Sequence, residues 1–505
     1  MTLKTEETSF DEALERTGNG LYNVLLLLTS SLLLLAIGVD LFGFTLVVAT
    51  ACDLQLTVSQ KGVLSSLPFA GIILVSYFWG YISDTKGRRF TLVVSMQVGF
   101  VLSCLCSISP HWIVLGLIKF LSVCFSCAAN SVTYTLVGES CVQRVRSKYM
   151  LLMTSLLLLS PAVAAVLAYP TLSLDFELPL PGIAVIFRPW RLLMIVLALP
   201  SGIGGVAIYF FYESPKFLAY LERNEEALEV LKSIYEINHR YCKEDFKVHS
   251  IVLSEDVAKK QTSLLRRIYE QSAPLFRRPL LFRTMQLFYI VAVVYLTNNT
   301  SLVWLSHILN LVRLSLENGA ASGNICSLIS NDVSAANTAA NSTSEKISPE
   351  ICLGYIKENV ILTFVATQTT YAFLNFLLAY LPNHRRLLVI AILCLSSISG
   401  VLLNLMPEPI SSVFFFMLFT CTCLCMGVLA SYFVDLYPTS CRGMVACLSV
   451  MVGRSSTFVG INLIGNLIFY HCQVTFYLWS LLVLSSVVAA WFLPPDKAQT
   501  DATVV

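Results

Sequence analysis

Residues 23–49 read NVLLLLTSSLLLLAIGVDLFGFTLVVA, a run whose one charged residue is Asp40. A helix of about 20 apolar residues crosses the hydrocarbon core, and only such closed backbone hydrogen bonding is tolerated there. This run is long enough to span and too long for a cleaved leader. The 22 residues before it are polar, with Glu6, Glu7, Asp11, Glu12 and Glu15 against Lys4 and Arg16, which is not the basic flank of a signal peptide. The run is therefore expected to stay as a membrane anchor.

Working outward, comparable runs recur at 62–82, 90–108, 112–136, 149–168 and 192–211, and then at 285–305, 360–381, 387–405, 410–433, 444–468 and 474–492. The expected fold is an all-α membrane protein of twelve transmembrane helices in two pseudo-symmetric six-helix bundles. The expected domains are a tail (1–22), a first bundle (23–211), a helical loop (212–284), a second bundle (285–493) carrying an external loop (306–359), and a tail (494–505). Composition agrees: 56% of residues are hydrophobic and 13% charged, against about 45–50% and about 25% in soluble domains. A net charge of +2 gives no reason to expect a nucleic-acid partner.

Basic residues set the orientation. Lys86, Arg88, Arg89, Arg144, Arg146, Lys148, Arg385, Arg386 and Arg442 follow spans two, four, eight and ten, whereas the connections after spans one, three, nine and eleven hold little beyond Lys61. The basic side is expected to be cytoplasmic, with both termini there. In the central segment Ser214 reads as an N-cap before Pro215, and Asn224 as a cap before a helix at 225–237 with Leu228, Leu231 and Ile234 on one stripe. Residues 264–283 mix apolar residues with paired arginines, as in a helix lying on the membrane surface.

Most of the 16 cysteines, Cys104, Cys106, Cys421, Cys423 and Cys425 among them, sit in apolar runs and read as small hydrophobes. Cys326 and Cys352 lie in the external loop, where a disulfide between them is expected, with free thiols as the alternative. Asn341-Ser342-Thr343 is a glycosylation acceptor there, while the same pattern at Asn298 and Asn299 lies inside a span.

The halves share punctuation. Glu139 and Arg146 after span four match Asp435 and Arg442 after span ten at an offset of 296, and Arg88-Arg89 match Arg385-Arg386 at 297. Such a duplication is common in secondary transporters, whose halves rock around a central site. Asp84, Glu139, Glu213 and Asp435 are not explained by orientation, to which acids contribute little. With the arginines they are expected to form a cytoplasmic gate of weak, reversible contacts.

The stretch Gly80-Tyr81-Ile82-Ser83-Asp84-Thr85-Lys86-Gly87-Arg88-Arg89 resembles the signature after span two of the major facilitator superfamily, with Thr85 replacing the usual basic residue. Glu213-Ser214-Pro215-Lys216 resembles the motif after span six of its sugar and organic-cation branches, and Asp435-Leu436-Tyr437-Pro438 with Arg442 the motif after span ten. Gly38–Asp40, Lys61-Gly62, Trp79-Gly80 and Tyr212–Leu218 resemble the synaptic vesicle glycoprotein 2 family, as does the glycosylatable loop after span seven. The resemblance implies a gate at Gly80, Asp84, Gly87, Arg88, Arg89, Glu139, Arg146, Glu213, Asp435 and Arg442. It also implies a cavity lined by spans one, four, seven and ten.

An ionisable residue inside a span is a functional hypothesis by default. Asp40, Lys119, Asn298 and Asn299 are expected to form a polar layer of that cavity, Asp40 carrying a coupled proton or recognising a cationic solute. The alternatives are a structural Asp40–Lys119 pair and a snorkelling Lys119. Arg454 is counted with the cavity, although a structural link to Asp435 or Glu139 is the favoured reading of it. The sequence shows no phosphate-binding Gly-Lys-Ser/Thr loop, zinc-type His-Glu-x-x-His or Gly-x-Ser-x-Gly, so no enzyme, cofactor or metal site is expected. The expected function is secondary active or facilitative transport of a small organic solute by alternating access, in a lipid bilayer, as a monomer. The alternative is a synaptic-vesicle-glycoprotein-like protein acting through partner binding or vesicle trafficking. The plasma membrane or a secretory or synaptic vesicle membrane fits either reading.

Overall fold

The computed structural model describes residues 7–180, 185–239, 245–246, 248, 250–252, 273–278, 280–317, 323–330, 358–378, 385–437 and 439–494, without side chains at some helical positions. Twelve of its helices are long and apolar enough to cross a membrane. Spans 1–6 are Leu21–Thr50, Ser59–Lys86, Arg88–Ile108, Trp112–Ser140, Lys148–Leu172 and Pro189–Tyr209. Spans 7–12 are Leu280–Leu305, Ile361–Leu378, Arg385–Leu405, Pro409–Leu429, Leu448–Ile468 and Tyr470–Trp491.

Within the first half span 1 packs on spans 5 and 6, and span 3 on spans 4 and 6; in the second, span 7 and span 9 pack on the helix that carries spans 11 and 12. The halves meet where span 2 lies against that helix and span 5 against span 8. Close approach inside the first half depends on small residues: a Cβ on Gly38 of span 1 would run into Ser160 Oγ of span 5.

Spans 4 and 10 are both broken near the middle of their length. Span 4 ends one helix at Ser126 and begins another at Ala129. Span 10 passes from Pro409–Phe419 through a 3₁₀ turn, Thr420–Leu424, into Cys425–Leu436. The 296-residue offset carries Cys127 at the first break onto Cys423 at the second. Carbonyls released by a broken ladder must be satisfied in lipid. Trp79 Nε1 donates to Cys124 O (2.6 Å) at one break, and Ser396 Oγ to Phe419 O (2.7 Å) with Tyr371 OH to Met417 O (2.5 Å) at the other.

The tail does not stand apart. Glu7–Ser9 pairs in parallel with Ser250–Val252, and Ser9 caps the helix Phe10–Arg16. Phe10 and Leu14 bury against Leu218, Leu231 and Ile251. Asn238, on the helix Asn224–His239, accepts from Tyr22 N–H (3.0 Å) and donates to Asn23 Oδ1 (2.8 Å), fixing this subdomain to the start of span 1. Ser214 caps Pro215–Tyr220, with Pro215 in its first turn, as the sequence suggests.

Two expectations for the loop after span 7 are corrected. The helix runs on to Glu317, so residues 306–317 belong to it; Ile308, Leu309 and Val312 continue its buried stripe. Cys326 is bonded to Cys472, with Cα atoms 5.4 Å apart, and not to Cys352. The reason is docking of the preceding turn on the second bundle. Gly323 N–H bonds Pro407 O (3.0 Å) and Asn324 Nδ2 bonds Asn404 O (3.0 Å), which sets Cys326 beside the kink at His471 between spans 11 and 12. Cys52, just past span 1, is also in a disulfide. Asn341 and Cys352 lie outside the described residues, as do residues 264–272 and 279 of the expected surface helix at 264–283.

Non-reducing peptide mapping should recover a Cys326–Cys472 cross-linked peptide that disappears on reduction. Recovery of Cys326 joined to Cys352 would overturn this pairing.

Candidate functional site

A cavity lies between the two halves, lined by residues of both. Its polar wall comes from Asn130 just past the break in span 4, Tyr295, Asn298 and Asn299 of span 7, Gln368 of span 8, and Arg454 of span 11. The remaining wall is mostly aliphatic and aromatic, supplied by spans 1, 5 and 10. Asn298 Nδ2 donates to Asn299 Oδ1 (3.1 Å), and Asn299 Nδ2 to Thr457 Oγ1 (3.0 Å), which locks span 7 to span 11. Arg454 is 9% exposed, its guanidinium 5.6 Å from the Phe69 ring centre and 5.8 Å from that of Tyr295.

Asp40 and Lys119 are not part of this cavity wall. Lys119 Nζ lies 2.5 Å from Asp40 Oδ1, and Ser103 Oγ donates to the same oxygen (2.8 Å), all inside the first bundle. The cause is helical phase. Ile37, Gly38, Leu41 and Phe42 form the cavity face of span 1, and at about 100° per residue Asp40 falls on the other side. Lys119, on span 4 ahead of the break, is 1% exposed and sits 5.1 Å over the Phe44 ring. It does not snorkel. The expected polar layer is thus corrected: Asn298, Asn299 and Arg454 reach the cavity, Asp40 and Lys119 pair behind it. Arg454 is also not linked to Glu139, which is committed elsewhere.

That commitment is the second polar centre, on the face that carries the basic loops. Arg88 Nε lies 3.0 Å from Glu139 Oε2, and Arg88 Nη2 3.1 Å from Glu139 Oε1 and 3.2 Å from Asp84 Oδ1. Ser214 Oγ donates to Glu139 as well. Glu213 Oε1 accepts the backbone N–H groups of Arg88 (2.7 Å), Arg89 (3.0 Å) and Ser214 (3.0 Å). A carboxylate at a helix N-terminus satisfies orphan donors and faces the positive end of the dipole. Gly87 is required between them: its φ is +108°, and a Cβ there would strike the Glu213 carboxylate. Gly80 has open space around it. The side chains of Asp435 and Arg442 lie outside the described residues, and Arg146 makes no ion pair among them. The described contacts of this cluster all lie within the first half.

Uncharged wall residues such as Tyr295, Gln368 and Asn130 escaped the sequence reading because isolated polar residues are common in spans. A further buried ion pair was missed on the opposite face: Arg191 Nη2 lies 3.1 Å from Asp53 Oδ2, and Nη1 donates to Ser107 O (2.9 Å) and Ser109 O (2.7 Å). Both charges stand at the ends of apolar runs, where they looked like ordinary loop residues.

The sequence pattern of the Major Facilitator Superfamily matches residues 28–336. The chain belongs to that superfamily. Synaptic vesicle glycoprotein 2C of Rattus norvegicus is 27% identical over 274 residues, 53% of this chain and 37% of that protein. Putative transporter svop-1 of Caenorhabditis elegans is 29% identical over 229 residues, 45% of this chain and 41% of that protein. The chain thus matches about two fifths of the length of these relatives. Among solved structures, the inward open conformation of the xylose transporter XylE from E. coli superposes with a TM-score of 0.64 at 13% identity, covering 95% of this chain and 98% of that one. Its partially occluded inward open conformation gives 0.62 at 12% identity, covering 94% and 100%.

The superfamily's two-bundle plan also shows in side-chain contacts. Arg89, opening span 3, donates to Tyr209 O and stacks 5.0 Å over the Tyr209 ring at the end of span 6. Arg386, opening span 9, donates to Trp491 O and stacks 5.4 Å over the Trp491 ring at the end of span 12. The two halves use one device at equivalent places.

The buried Asp40–Lys119 pair gives one prediction. Removing one partner leaves the other uncompensated, so Lys119→Met or Asp40→Asn should each lose about 3–5 kcal/mol. The double variant should lose less than the sum, measured by thermal unfolding of purified protein; strictly additive losses would argue against the pair. The basic-face cluster gives a graded one. Asp84, with a side chain 66% exposed, should tolerate Asp84→Asn at a cost below about 1 kcal/mol. Glu139, with a side chain 18% exposed, should lose several times more on Glu139→Ala. Equal effects would contradict the assigned burial.

Proposed function

We propose that this chain is a secondary active or facilitative carrier of a small organic solute that works by alternating access, with its basic face and both termini in the cytoplasm. The observation that carries this reading is the polar cavity at the seam between the halves, flanked by contacts of different kinds on its two sides. Away from the basic face the halves touch: Asn462 Nδ2 of span 11 donates to Ser66 Oγ of span 2 (2.8 Å), and Trp304 of span 7 lies against Gly62 of span 2. At the basic face the described ion pairs stay inside one half. Among the described residues the seam has one such hydrogen bond and apolar contacts, which can be remade at small cost, since one neutral bond is worth about 1 kcal/mol net. Relatives named as transporters and inward open structural neighbours support the same reading. The names of the vesicle glycoproteins favour the alternative, a membrane protein that acts through partner binding or vesicle trafficking.

Asp40 does not reach the cavity, so its proposed part is to hold the first bundle together rather than to contact solute. The proposed part of the Arg88–Glu139–Glu213 cluster is to brace spans 2, 3, 4 and 6 at the basic face, since its described contacts stay within the first half.

Alternation is testable without knowing the solute. In a Ser66→Cys/Asn462→Cys variant carrying Asn298→Cys in the cavity, oxidation should leave Cys-directed, membrane-impermeant labelling at 298 possible only from the cytoplasmic side. Reduction should restore some labelling from the other side. A protein that moves nothing and only binds partners should show one-sided labelling in both states.

A further inference from the structure

Arg454 is the charge that the carrier reading leaves unused. It belongs to span 11, is 9% exposed, lines the cavity, and its Nε is buried without a hydrogen-bond partner among the described residues. Its recorded neighbours are the faces of Phe69 and Tyr295, not a carboxylate. The acids that share the described membrane interior are taken: Asp40 by Lys119 and Ser103, Glu139 by Arg88 and Ser214. The cavity therefore presents one fixed positive charge, in surroundings where such a charge is costly unless paired.

We infer that the cavity is an anion site, and that its ligand is a small organic carboxylate with an apolar or aromatic body. The inference rests on the carrier reading only for what the site is used for. A planar guanidinium presents paired N–H donors that match a carboxylate, and a fork on an aromatic wall is already oriented for it. Phe69 and Tyr295 both lie within cation–π reach of the guanidinium. Asn130 and Gln368 add amide donors on the same cavity, and Leu41 and Phe42 give a surface for an apolar body. A cationic solute would face Arg454 with no described carboxylate to offset the repulsion, and a neutral one would leave the guanidinium unpaired.

The test uses full-length purified protein and three probes of one shape: benzoate, benzamide and benzyltrimethylammonium. Benzoate should raise the thermal transition in a concentration-dependent way, because a ligand of the folded state stabilises it; benzamide and the cation should not. Arg454→Gln should weaken the benzoate response by about a hundredfold or more, and Arg454→Lys, which keeps the charge and loses the fork, by less. Ligand-free Arg454→Gln should unfold no earlier than wild type, since it removes an unpaired buried charge. Should Arg454→Gln not fold, the ranking of the three probes on wild type decides alone. Equal responses to benzoate and benzamide, a response to the cation, or a benzoate response that survives Arg454→Gln would each overturn the anion site. Labelled benzoate taken into proteoliposomes would support both readings. Binding without uptake would keep the anion site and remove the carrier, and uptake of the cation instead would keep the carrier and remove the anion site.

Discussion

In a hydrocarbon solvent a polar group has only the protein to satisfy it, and most of this architecture follows from that constraint. Asp40, Lys119 and Ser103 close on one another and tie spans 1, 3 and 4. Arg191 and Asp53 join the ends of spans 1 and 6 and collect the carbonyls of Ser107 and Ser109. Arg88, Glu139, Glu213 and Ser214 do the same on the basic face. Each knot is costly to break once made, because a lone buried ion has nowhere to go. All three lie within the first half, so that half is stapled at both faces and near its middle, and behaves as one body.

The seam between halves is built otherwise. Phe69, Leu41, Val303 and Ile461 meet in one apolar cluster drawn from both halves, with the Ser66–Asn462 bond beside it. Apolar contacts are non-directional and the lipid tails compete for them on nearly equal terms. Strong, directional bonds inside a bundle and weak, exchangeable ones between bundles are what a rocking mechanism requires. The breaks in spans 4 and 10 belong to the same economy of polar groups. Each occurs where a side chain from a neighbouring helix takes over the released carbonyl, so the same interruption survives in both copies of the repeat.

The fold was legible in the sequence because its signal is long-range and redundant. Twelve apolar runs, loop arginines and a 296–297 offset all lead to one plan. Ser214-Pro215 was legible because capping is local chemistry; the helix read at 225–237 forms as well, but it begins at Asn224, which is its first residue rather than its cap. The site was legible only in part. Asn298, Asn299 and Arg454 were picked out by type, but Asp40 and Lys119 were placed on the wrong side of their helices. Span 1 is apolar around its whole circumference, so nothing in its periodicity says which face meets the cavity; that is fixed by Gly38 fitting against Ser160. Cys326 was given the wrong partner for a related reason. Its true partner, Cys472, lies 146 residues away and is brought near by the docking of one short turn.

Arg454 then stands out by contrast. A chain that finds partners for Lys119, Arg191 and Arg88 through geometry shared among several helices has the means to neutralise a guanidinium. At position 454 it places the guanidinium near two aromatic rings instead. Cation–π contact offsets about 0.5–2 kcal/mol of such a charge's cost, less than a hydrogen-bonded carboxylate supplies. An arrangement that stabilises the fold less than an available alternative is the usual mark of a residue held for binding. Its position points the same way, since it lines the cavity at the seam between the halves rather than the interior of a stapled bundle. A ligand that pairs with Arg454 touches both halves at once, and it changes the balance between two states only in so far as it binds one of them better.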